Sequence, residues 1–400
     1  MNYAPRIPFF LIWRFITRSN KWTLGLTIFL MAVAFINLLF ISSLFNGIID
    51  GTNQQIVKTY TGNVIITPTE GNDYIDHAET MSAQVETVAG VTAASPETLV
   101  PGELGYHNIK GAWQILAINP DQESRVTNVS EKMMSGEYLD ADDANGIIIG
   151  RQIAGGVDVE SDFYSFHGAQ VGEAVKLTVG GVSKDFIIRG IFYTKFINTD
   201  QRAFITQAAL ESMLPPVAGK ATQIIVKTTK TGQEDKVIAA LEAAGITGKF
   251  GTWQDAAGLM KSVTKSFLSI NVLMTFVGIL IAAVTIFIVI YIDISNKRRQ
   301  IGIMRAIGIK PYIIRTTYIL QTVVYSVAGV ALGTALFFGV LVPYFNWHPF
   351  ALPICDAVLK IDSVDFIARM ETVFLVAIGA GLIPAFTVTR MKILNAILGK

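Results

Sequence analysis

Hydrophobic positions along this chain follow two patterns. Four stretches carry no charge over lengths a membrane helix would need, and the long segment between the first two alternates apolar runs with turn residues. Lys21 and Asp50 bracket 28 uncharged residues, and Lys265 and Asp293 bracket 27. A bilayer core about 30 Å thick takes roughly 20 apolar helical residues to cross, so both runs are long enough with some tilt. A third run starts after Arg315 and is predicted to end near residue 342, where Pro343 and the NWHP sequence interrupt it. The fourth, Thr372 to Thr389, has 18 residues and contains Pro384, which predicts a kink. The predicted spans are 22–47, 266–292, 315–342 and 372–389. Segment 293–314 joins the second to the third, and a short loop, 343–371, joins the third to the fourth.

Segment 48–265 has a different pattern. Near its start TGNVIITP reads as a strand, HAETMSAQVETVA as a helix and GVTAASPE as a strand; near its end ATQIIVKTT, GQEDKVIAALEAAG and ITGKFGTW repeat that order. Two β-α-β units at the ends predict one subdomain, 52–120 plus 222–255, split by an insertion at 121–221. The insertion is mostly strand, as in AVKLTVGG, KDFIIRGIF and RAFITQ, with VGGVSK as a hairpin turn. The fold expected is a membrane protein: four transmembrane α-helices and a large α+β extracytoplasmic domain between helices 1 and 2.

Charge orients this arrangement. Residues 1–21, 291–316 and 390–400 carry 13 basic and 1 acidic side chain, whereas 48–265 carries 17 basic and 26 acidic. The positive-inside rule puts both termini and the 293–314 segment in the cytoplasm and the large domain outside. The first apolar run exceeds a signal peptide's core and lacks a small-residue cleavage site, so it reads as a retained span. Before it, Phe9, Phe10, Leu11, Trp13 and Phe15 mix with Arg6, Arg14 and Arg18. That mixture fits a helix in the inner membrane surface, and equally an inward extension of the span. Overall the chain is 51% hydrophobic and 16% charged, with 32 Lys+Arg against 31 Asp+Glu. Such a balance argues against a purely soluble protein and against a nucleic-acid-binding domain.

Candidate chemistry is sparse. One cysteine, Cys355, excludes an intrachain disulfide and a Cys-based metal cluster within the chain. The sequence has no G-x-x-x-x-G-K-[ST] and no G-x-S-x-G. His77, His107, His167 and His348 lie too far apart to form a ligand pair. Ser262 and Lys265 make an S-x-x-K, better read as part of a stalk helix near 255–270 than as a nucleophile pair. Asp140, Asp142, Asp143, Asn145 and Gly146 offer oxygen ligands without EF-hand spacing and read as a solvated turn. Past Arg315, which opens the third, the four predicted spans hold no Asp, Glu, Lys, Arg or His, so no ion path is suggested. Gly329 and Gly333 form a G-x-x-x-G, suited to close helix packing within the chain or between subunits.

The segment after the second span, DISNKRRQIGIMRAIGIKPYIIR, places Ile301, Met304 and Ile307 or Gly308 on one helical face and Arg298, Arg299 and Arg305 on others. Two readings fit: a basic helix at the membrane surface, or a docking surface for a cytoplasmic partner. Its KRRQIGIMRAIG run resembles the cytoplasmic signature of FtsX-like permeases, K-R-x-E-I-G-x-x-x-A-x-G. GNVIITPTEG, VAGVTAASPETLV, IIIGRQIA, VGEAVKLTV, FIIRGIFYT, DQRAFITQAAL and QIIVKTT resemble the periplasmic core domain shared by MacB and LolC/LolE proteins. The order of span, outward domain and three spans is similar throughout the chain.

That resemblance implies a non-catalytic permease subunit of a MacB-type ABC transporter in the bacterial inner membrane. It implies a dimer with a second copy or a paralogue, served by a separate ATPase that binds ATP and Mg, so that no cofactor sits on this chain. It implies mechanotransmission, in which cytoplasmic ATP hydrolysis drives periplasmic handling of a lipoprotein, lipid or exported substrate with an adaptor or lipoprotein carrier. The alternative is an FtsX-like regulator that activates a periplasmic hydrolase. On this likeness Lys297, Arg298, Arg299, Gln300, Ile301, Gly302, Met304, Arg305, Ala306 and Gly308 belong to the ATPase-coupling segment, and the first two spans form the moving core of the dimer. The sequence departs from the family where Gln300 stands in place of the usual Glu.

Overall fold

The computed structural model describes residues 21–156, 159, 164–256, 259–352 and 355–390. The N-terminal surface helix expected over 1–21 and the tail over 390–400 fall almost wholly outside the described residues.

Helix α1 (Lys21–Ile56) outlasts the apolar run, because the polar residues after 47 can carry a helix onward without lipid around them. After it come β1 (Val64–Thr67), α2 (Ala78–Glu86), β2 (Val91–Tyr106), β3 (Ile109–Ile118), α3 (Pro120–Val126), β4 (Met133–Gly136), β5 (Gly146–Gly150), β6 (Ala174–Val179), β7 (Val182–Phe192), β8 (Arg202–Thr206), α4 (Gln207–Met213), β9 (Gln223–Thr228), α5 (Glu234–Ala243) and β10 (Lys249–Thr252). The chain then forms α6 (Leu259–Asn296), α7 (Arg298–Ala306), α8 (Pro311–Leu336) and α9 (Ser363–Arg390). Two compact units result: 51–264 with 352–355, and the remainder.

In the first unit the four strands of the paired β-α-β units lie in the order β10-β1-β9-β2, antiparallel at every step. Val64, Ile66, Ala94, Ile224 and Val226 of this sheet pack with Val85 of α2 and Leu241 of α5. Strand β2 is 16 residues long, and its second half serves another core. It pairs with β3 from Glu97↔Ile118 to Tyr106↔Ile109, and the sheet continues through β8, β5, β7 and β4. Val100, Leu104, Ile115, Ile147, Leu177, Phe186 and Ile205 close that second core. The insertion is therefore joined to the split subdomain by one continuous ladder, with a separate core at each end. At the β6–β7 hairpin Gly180 and Gly181 both have positive φ, 57° and 83°, as a two-residue turn of this hand requires.

Among the described residues four helices are long and apolar enough to cross a membrane. Met31, Phe35, Leu38, Ile286, Ile290, Tyr325, Val330 and Ala377 form the core of the second unit. Helix α9 starts at Ser363, earlier than the charge pattern indicated, and continues through Pro384 as one helix. The second helix also runs past the predicted limit at 292, so Asp293 is one of its helical residues.

Candidate functional site

The basic segment folds as local chemistry dictates. Helix α6 stops at Asn296, and Lys297 turns the chain with its amide bonded to the Ile294 carbonyl at 3.1 Å. Helix α7 then runs for nine residues. Gly308, at φ 94°, ends it: its amide bonds to the Arg305 carbonyl and that of Ile309 to the Met304 carbonyl, each at 3.1 Å. Two residues on, Lys310 is extended, and Pro311 opens α8 as a first helical residue favourable to proline.

The sequence-predicted residues separate by face. Ile301 and Gly302 are buried, Met304 is half-buried against the helix core, and Lys297 is 9% exposed. Arg299, Gln300, Ala306 and Gly308 are exposed, while Arg298 and Arg305 are intermediate. Sequence periodicity grouped Ile307 with Ile301 and Met304. In the structure Ile307 is 73% exposed and Ile303, one turn before it, 47%, so the outer face carries an apolar pair flanked by Arg299, Gln300 and Ala306.

Two residues missed by the sequence reading hold the inner face. Lys297 Nζ lies 2.9 Å from Asp293 Oδ2, and the Gln321 amide of α8 donates to the same oxygen at 2.9 Å. Gln321 also hydrogen-bonds the Tyr325 hydroxyl. An Asp four residues before a Lys is a legible signal, but the partner on α8 is 28 residues away and only packing reveals it. Gly329 and Gly333 lie on α8 where it meets α1: a Cβ on Gly329 would come within 2.6 Å of the Met31 Cβ, and one on Gly333 within 3.0 Å of the Phe35 ring. In this chain the small-residue motif packs an internal helix pair.

A second cluster lies in the first unit, where the chain leaves α1. Residues 57–61 form one wide helical turn. There Gln55 Nε2 donates to the Thr194 carbonyl at 2.9 Å, the Thr199 hydroxyl donates to the Thr59 carbonyl at 3.1 Å, and the Arg202 guanidinium lies 3.8 Å from the Tyr60 ring centre. Arg202, Glu97 and Glu123 are all buried. Arg202 Nε donates to Gln114, Gln223 donates to Glu97 at 2.5 Å, and the Thr127 hydroxyl donates to Glu123 at 2.9 Å. Burial first, and Glu123 beside it second, push the Glu97 carboxyl well above the usual range; burial also raises Glu123 and lowers Arg202. Two carboxyls are buried near one guanidinium, and burial outweighs its charge, so the cluster favours retaining a proton.

The other candidates resolve into structural roles. His77, His107 and His167 sit at positive φ, 52°, 51° and 55°, where histidine is tolerated in turns better than most side chains. Asp143 forms an ion pair with Arg189 at 2.6 Å and accepts the Asn145 amide. Burial would raise its carboxyl, but these bonds hold it below the ordinary range. No group of three His, Cys, Asp or Glu able to hold a metal occurs among the described residues. The side chains of Ser262 and Lys265 lie outside the described ones.

Comparison with known proteins agrees with both units. A MacB-like periplasmic core domain matches residues 24–244, and an FtsX-like permease C-terminal domain matches residues 272–393. No curated protein matches the chain. Among solved structures, the extracellular domain of the noncanonic ABC-type transporter YknZ from Gram-positive bacteria is 13% identical with a TM-score of 0.35, over 48% of this chain and 97% of that one. The periplasmic region of MacB from Actinobacillus actinomycetemcomitans is 11% identical with a TM-score of 0.35, over 51% and 94%. A domain of a putative permease from Porphyromonas gingivalis is 13% identical with a TM-score of 0.31, over 47% and 79%. The two family matches cover the outward domain and the helices that follow it, and on that ground the chain belongs to the FtsX-like permeases of ABC transporters that carry a MacB-like periplasmic core domain.

Proposed function

We propose that this chain is the permease subunit of a MacB-type transporter that works by mechanotransmission. A separate ATPase docks on α7 in the cytoplasm, and hydrolysis there moves the outward domain, which handles a lipoprotein, a lipid or another exported substrate on the outer side of the inner membrane. The chain works as a dimer with a second copy or a paralogue. The observation that carries this reading is the outer face of α7, where Arg299, Gln300, Ile303, Ala306 and Ile307 are exposed on a helix anchored from its other side. An exposed apolar pair framed by basic and small residues suits a protein partner better than bulk water.

The family match supports an ATPase partner, since an ABC-transporter permease is driven by one. Continuity of α1 to Ile56 supports mechanical transfer, since a helix passes torsion along its backbone hydrogen bonds where a loop would absorb it. Ala306→Trp should abolish co-purification of the ATPase while membrane insertion stays normal, because the ring occupies the docking face. Co-purification at the unaltered level would overturn the assignment. Gly302→Trp is the poorer test, since Gly302 is buried and the change disturbs packing instead. Capture of a periplasmic hydrolase or its activator, with no response of turnover to lipid or lipoprotein, would favour the regulator reading.

A further inference from the structure

Asp293 and Lys297 lie where neither a lipid-facing nor a docking helix would place charge. They are 6% and 9% exposed, in the helical unit whose buried core includes Ile290, Ile294, Ile301 and Tyr318. Removing two charges from water costs several kcal/mol per ion, and well-packed apolar side chains in their place would be about as stable. Ionisable residues buried in a helical membrane unit commonly mark a working part. What distinguishes this pair is its third member. Asp293 Oδ2 receives Lys297, the residue that opens α7, at 2.9 Å, and Gln321, well inside α8, also at 2.9 Å. Gln321 is 1% exposed and hydrogen-bonds Tyr325 one turn further on, which fixes the direction of its amide. One carboxylate oxygen thus ties the start of the basic helix to the middle of the next long helix.

We propose that Asp293 is the positioning residue of the coupling site: its carboxylate latches α7 to α8 through Lys297 and Gln321, so that a displacement of α7 is delivered to α8. The delivery of force rests on the transporter reading; the latch does not. Lys297 therefore faces inward, and docking belongs to the opposite face.

The test uses the full chain in lipid nanodiscs with Cys355→Ser, spin labels at Ile303 and Val327, and pulsed distance measurement. Both positions are exposed, 47% and 52%. The parent should give a narrow distribution. Asp293→Asn and Gln321→Leu should each lose the narrow peak. Asp293→Asn combined with Gln321→Glu returns a carboxylate to Lys297 from the other helix and should restore the peak, which a merely space-filling role would not do. Retention of the narrow peak in both single variants, or failure of the exchange to restore it, overturns the latch. If Asp293→Asn fails to insert, Gln321→Leu and the exchange decide. The measurement needs no ATPase, so its failure removes the latch alone, whereas finding no ATPase bound to the parent chain removes the transporter reading alone.

Discussion

Asp200 gives the sharpest quantitative prediction. Its carboxylate accepts the Thr194 amide and hydroxyl, each at 2.8 Å, closing the loop that receives Gln55 and Thr59. Burial outweighs these bonds and pushes the carboxyl up to about 6. An unfolded or opened loop returns it to about 3.9. The closed loop thus binds the proton more tightly than the open one, so the loop gains stability as pH falls through 6 and continues to gain until about pH 4. At pH 5, one unit below the raised value, the gain is about 1.4 kcal/mol, a tenfold smaller opening constant than at pH 7.5. The full difference approaches about 3 kcal/mol near pH 4. The assay is native-state hydrogen exchange of the amides from Thr194 to Gln201 in the full chain, corrected for intrinsic exchange at each pH. Asp200→Asn should remove this share of the slope and leave any contribution from Glu97 and Glu123. Equal opening of the unaltered loop at pH 5 and 7.5, or the same slope in the Asn variant, would refute the reasoning.

Further outcomes follow from the same geometry. Arg202→Met removes the buried cation whose charge favours the Glu97 and Glu123 carboxylates and should lower the stability of the large domain at pH 7.5 in chemical denaturation, with part regained at pH 5 as Glu97 and Glu123 take up protons. Gly329→Leu should depress the thermal midpoint in detergent, because its Cβ alone meets Met31 at 2.6 Å, while Gly339→Leu, with open space around it, should leave the midpoint unchanged. Gly308→Val forces φ 94° on a β-branched residue and should fray the end of α7, lowering ATPase retention on co-purification without loss of membrane insertion. Gln300→Glu restores the usual charge on an exposed face and should leave ATPase retention equal or higher.

Much of the architecture was legible in the chain because it depends on local order. Absence of charge over bilayer-length runs marked four long helices, and period-two and period-3.6 patterns marked strands and helices such as β1, α5 and β7. Gly180-Gly181 announced a turn, since glycine acts through its own backbone, whereas the helix end at Gly308 and the helix start at Pro311 emerged only in the structure. The KRRQIGIMRAIG run located the basic helix, but not which side of it is free.

Which side is free, and what anchors the other, only the tertiary structure decided. Ile301 and Ile307 stand about 120° apart on a helical wheel, and the sequence alone does not say which of the two faces packs; in the structure Ile301 packs in the helix core and Ile307 is open, because burial depends on elements far away in sequence. The same holds for Lys297, which the resemblance places in the coupling segment and which the structure holds inward against Asp293, whose carboxylate also receives Gln321. It holds again for Arg202, Glu97 and Glu123, scattered over more than 100 residues and brought together by the β2–β3–β8 ladder. A sequence determines what each segment can become by itself; the partner of a buried charge is set by long-range strand and helix pairing, which no local pattern encodes.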